Sequence, residues 1–101
     1  MGYVSLLLLG VIVLAVGIIN FRGNISTIHW YNRSKVNKDN APKYGKSMGI
    51  GTIVIGGSII FTAVLQMIFD AEAIFYLLIV GLIIGVAIMV HAQFKYNNGI
   101  F

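Results

Sequence analysis

Three long stretches of this chain, residues 1–21, 47–69 and 73–94, carry no charged side chain. A helix rises about 1.5 Å per residue and a bilayer hydrocarbon core is about 30 Å thick, so roughly 20 apolar residues make one crossing. Each stretch is long enough. A soluble domain of this length would break its apolar residues into stripes facing a core, whereas these windows are apolar throughout. The expected fold is therefore all-α: an integral membrane protein with three transmembrane helices. They should span about 3–21, 47–69 and 73–94, with a basic polar loop at 22–46 and a tight hairpin joining the second and third, all in one membrane domain. Composition agrees, with 58% hydrophobic and 10% charged residues among 101, against about 25% charged in soluble domains.

The first stretch has the length of a secretory signal, and Ala15-Val16-Gly17 has the small residues of a cleavage site. No Lys or Arg precedes the apolar run, however, and it continues through Ile18, Ile19 and Phe21. A retained helix is the better reading. Arg22 suits the negative end of its dipole, and Gly23 is placed to end it in a left-handed cap. From Asn24 to Val36 the residues fit either a short helix at headgroup level, started by Asn24 or Ser26, or an irregular loop. Asp39 or Asn40 before Ala41-Pro42 is a helix start, since Pro is tolerated in the first turn. Between the second and third spans, Asp70 can cap the third helix and Glu72 lies in its first turn.

Six of the seven basic residues, Arg22, Arg33, Lys35, Lys38, Lys43 and Lys46, fall in the first loop, and Lys95 follows the third span. Asp70 and Glu72 lie on the other side. The positive-inside rule then places loop 22–46 and the C-terminus in the cytoplasm and the N-terminus outside, in a cell membrane. Trp30, Tyr31 and Tyr44, interleaved with Arg33, Lys35, Lys38, Lys43 and Lys46, form the expected headgroup belt and the loop open to a partner. Anionic phospholipid is the expected ligand of the cations. Nucleic acid is not expected, because a loop of this size offers no folded basic groove.

Small residues mark where helices can approach in lipid. On the second helix Gly45, Gly49, Thr52, Gly56 and Ala63 follow one line, and Gly51, Ser58 and Thr62 follow another about a third of a turn away. The first helix offers Gly10 and Gly17. The third offers Gly81 and Gly85, a GxxxG pair, and Ala92. Two smooth faces place the second helix between the other two, although either face could instead meet a partner chain.

Chemistry is sparse. The chain has no Cys and two His, His29 and His91, on different segments, too few for a metal site or an oriented base. No ionisable acid or base of the kind coupled transport uses lies deep in a span. Ser58 and Thr62 can bond back to carbonyls one turn earlier, and Asn20, Gln66 and His91 lie near span ends. The expectation is a non-enzyme without cofactor.

The layout of one span, a polar loop and a Gly-rich span introduced by "KYGKSMG", residues 43–49, resembles small three-span bacterial membrane proteins grouped as domains of unknown function. More distantly it is similar to hydrophobic immunity proteins against peptide toxins. These resemblances imply a role in binding a membrane protein or toxin and carry no catalytic residues. In length, three spans and cytoplasmic C-terminus the chain also resembles holins, which implies a self-assembling pore as the alternative. A small transporter ranks behind both.

Overall fold

The computed structural model describes residues 2–25, 28 and 36–97. These residues form three long α-helices: α1 (Gly2–Phe21), α2 (Ala41–Phe69) and α3 (Phe75–Tyr96), the last preceded by a 3-10 turn over Glu72–Ile74. No strand occurs among them. All three helices are long and apolar enough to cross a membrane. A helix is the simplest way for one segment to satisfy every backbone N–H and C=O without water.

Local chemistry sets the helix ends. At the end of α1 the Gly23 N–H bonds to Asn20 O (2.9 Å) and the Asn24 N–H to Ile19 O (3.3 Å), with Gly23 at φ 100. This is a Schellman cap, and it needs the left-handed residue that glycine supplies. At the start of α2 the N-cap is Asn40, with Pro in the first turn, but the Asn40 side chain makes no capping bond. Asn37 acts instead, its Oδ1 accepting the Asn40 N–H at 2.9 Å.

The α2–α3 turn departs from the expectation for Asp70. Asp70 closes α2 in a left-handed conformation, φ 48 and ψ 57, its N–H bonded to Gln66 O. The N-cap positions of the 3-10 turn and of α3 are Ala71 and Ile74, and neither makes a side-chain cap bond. A short polar side chain tolerates the left-handed region, so the turn uses Asp70 to stop one helix, not to start the next.

α2 lies between α1 and α3. Its 29 residues make a rod about 44 Å long, close to the 46 Å long axis of the molecule. Burial runs opposite to that of a soluble protein. Leu8, Ile12, Phe61, Ile68, Tyr76 and Ile83 are more than half exposed, while Asn20, Thr62, Gln66, Gln93 and Asn97 are buried. Lipid solvates the apolar exterior, so the interior is left to small and polar side chains. These features define the class: a multi-pass membrane protein of three helices.

Candidate functional site

The interior of the bundle consists of two glycine-lined crossings. On the α1 side, a β-carbon at Gly56 would stand 2.6 Å from Leu14 N, and one at Gly45 would stand 2.7 Å from Asn20 O. At Gly49 it would overlap the Phe21 backbone. From the other helix, Gly10 faces Ile59 and Ile60, and Gly17 faces Ile53 and Gly49. The contacts step in opposite directions along the two chains, as antiparallel helices require. Ala63, wholly buried, continues the α2 line.

On the α3 side Gly51 and Gly85 meet backbone to backbone, each β-carbon position 2.7 Å from the other's carbonyl oxygen. Gly81 is filled by the Ser58 side chain. The Ser58 hydroxyl donates to Val54 O at 2.7 Å, the back-bond expected for it. Thr62 differs: it is fully buried and its Oγ1 has no hydrogen-bond partner. Thr52, on the line that faces α1, also reaches α3. Its hydroxyl donates to Met48 O at 2.8 Å and lies 3.8 Å from Met89 Sδ of α3. At 100° per residue Thr52 sits about 60° from Gly49 but only about 20° from Gly45 and Ala63, so it stands at the edge of that line nearest α3.

Tyr44, expected at the headgroups, is a core residue with no exposed surface. It packs with Met48 and Ala92, joined by Met89 and Tyr96 of α3 and by Ile25, Ile28 and Val36 of the connecting segment. Its ring meets Tyr96 edge-on at 6.5 Å. The reason is angular: Tyr44 shares the α3-facing side of α2 with Gly51, Ser58 and Thr62. Lys38, Lys43 and Lys46 are exposed. Trp30, Tyr31, Arg33 and Lys35, and most of the possible short helix, lie outside the described residues.

Buried amides were missed as packing elements. Asn20 donates to Asn24 O at 2.9 Å and Gln66 to Ala71 O at 2.9 Å, each holding a carbonyl just beyond the end of its own helix. Both side chains are almost wholly buried, not turned to the interface. Gln93, also buried, leaves its Oε1 without a partner. The signal in sequence was a polar residue within one turn of a helix end in an otherwise apolar span. His91 is exposed, beside an open apolar groove lined by Leu82, Val86 and Val90. Among the described residues no group of three His, Cys, Asp or Glu side chains could hold a metal ion.

A scan against protein-family models, a search of curated proteins and a search of solved structures each found no match. The functional reading therefore rests on this geometry alone.

Proposed function

We propose that this chain is a small non-enzymatic integral membrane protein that acts by binding another membrane-embedded protein, as an accessory or regulatory subunit or as a toxin-immunity factor. One observation carries the reading. Every glycine of the two α2 faces is already engaged inside the chain, so the three helices form a prepacked unit whose outer wall is free for a partner. Self-assembly of the holin type loses support for the same reason, because the small-residue stripes that would join copies are occupied by α1 and α3. Among the described residues the exposed wall of the helices carries large apolar side chains such as Leu8, Ile12, Phe61, Ile68 and Ile83.

The orientation belongs to the same proposal. Arg22, Lys38, Lys43, Lys46 and Lys95 lie at one end of the bundle and Asp70 and Glu72 at the other, which under the positive-inside rule supports a cytoplasmic basic end.

Recovery of the tagged protein at native expression level, in a mild detergent, tests the binding role. A second membrane protein in fixed stoichiometry is expected. Recovery of the chain alone, or only as copies of itself, would defeat the proposal.

A further inference from the structure

At the basic end, the crossing of α1 and α2 sets the segments that carry Arg22 and Lys46 side by side. The Lys46 ammonium lies 5.5 Å from the centre of the Phe21 ring, and Arg22 is the next residue along the chain. Close contacts fix both backbones. Arg22 N–H bonds to Ile18 O at 3.1 Å within the α1 cap. A β-carbon at Gly45, which precedes Lys46, would stand 2.7 Å from Asn20 O and 3.4 Å from Gly23 Cα. Lys43, one turn before Lys46 on α2, adds a third like charge.

Little in the chain offsets this charge. Of three acidic side chains in the sequence, Asp70 and Glu72 lie beyond the far end of α2, about 36 Å from Lys46 by helical rise. That leaves Asp39 against Arg22, Lys43 and Lys46, all of them exposed. Lys43 in the first turn of α2 is also opposed by the helix dipole. An anion from outside the chain is the physical complement.

Its position identifies the anion. Arg22 directly follows the first charge-free stretch and Lys46 directly precedes the second, so both stand at the boundary between hydrocarbon and headgroups. Below them the surface turns apolar: Phe21 is 42% exposed, and Ile50, one turn along α2 from Lys46, is 39% exposed. Cations above an exposed apolar strip match a molecule with a phosphate above an acyl chain, and free phosphate would leave the strip unused.

We infer that Arg22 and Lys46, bracketing Phe21, form a seat for the phosphate of one anionic phospholipid, with an acyl chain along Phe21 and Ile50. This deepens the membrane reading and is independent of any protein partner, so the two can fail separately.

Native mass spectrometry of the full chain in detergent, titrated with phosphatidylglycerol or phosphatidylcholine of identical chains, tests it. One phosphatidylglycerol should be retained in clear preference to phosphatidylcholine. Arg22→Gln and Lys46→Gln should each weaken it about fivefold, the effect of one cation near a lipid surface. Lys46→Arg should retain it. So should Lys95→Gln, which removes a cation at the same end but on α3. Equal affinity for both lipids, an equal loss in Lys95→Gln, or displacement by millimolar inorganic phosphate would each overturn the inference. Helical circular dichroism of every variant separates loss of the seat from loss of the fold.

Discussion

The Tyr3 hydroxyl donates a hydrogen bond of 3.0 Å to Asp70 Oδ1, joining the start of α1 to the turn between α2 and α3. The Tyr3 ring also lies 6.4 Å from that of Phe75. Through one side chain the first helix is tied to the hairpin formed by the other two. Tyr3→Phe should lower stability by about 0.5–1.5 kcal/mol, the usual net value of such a bond. Asp70→Asn should be nearly neutral, since Asn also accepts a hydrogen bond and tolerates a left-handed backbone. Thermal unfolding in detergent gives both values. If Tyr3→Phe cost as much in an Asp70→Ala background as alone, the bond would not be the source of the loss.

Two glycines eight residues apart on α2 should behave oppositely. A methyl at Gly49 would overlap the Phe21 backbone, whereas the β-carbon position at Gly57 has nothing within 4 Å. Gly49→Ala should force α1 away and cost several kcal/mol, within the range of severe packing defects. Gly57→Ala should be neutral or stabilise by up to about 1 kcal/mol, the helix propensity gain. Disulfide formation between cysteines placed on facing positions of α1 and α2 would report the separation directly, falling only in the Gly49 variant.

The α3 crossing offers a steric exchange. A β-carbon at Gly81 would overlap the Ser58 side chain, which fills the space there. Gly81→Ala alone should destabilise α2–α3 packing. Adding Ser58→Gly should restore much of it, less about 0.5–1 kcal/mol for the new helix glycine. A double variant less stable than Gly81→Ala would show that the space is not shared.

Thr62 and Gln66 lie one turn apart and should differ in sign. The Thr62 hydroxyl is buried without a partner, so Thr62→Val, which keeps the shape, should be neutral or stabilising by about 1 kcal/mol. Gln66→Leu removes the bond to Ala71 O and should destabilise, by roughly 0.6 kcal/mol if it resembles average polar contacts in membrane proteins. Chemical unfolding of the two variants side by side provides the comparison.

Single cysteines at Lys38 and Ala71, both exposed, should react with an impermeant thiol reagent from opposite faces of the membrane. Lys38 should react from the cytoplasm, the side that the basic residues select. Labelling of both positions from one face would contradict the three-span arrangement.

The three helices, their approximate ends and the central place of α2 were legible in the sequence because they depend on quantities local to a segment. Twenty uncharged residues match one bilayer thickness wherever they occur, and glycines spaced by four and seven share a face whatever they meet. The N-terminal Pro42 and the Gly23 cap are local in the same sense.

What the tertiary structure decided was the partner of each side chain. Tyr44 has the composition of a headgroup residue, yet it is buried, because its angle on α2 points it at Ala92 and because Ile25, Ile28 and Val36 return over it. Thr52 reaches Met89 because α3 packs beside the edge of α2 on which it stands. Asp70 stops α2 and receives the Tyr3 hydroxyl because the antiparallel arrangement brings residue 3 to residue 70. Those pairings depend on the relative register of three helices, which hydropathy and spacing within any one of them do not contain.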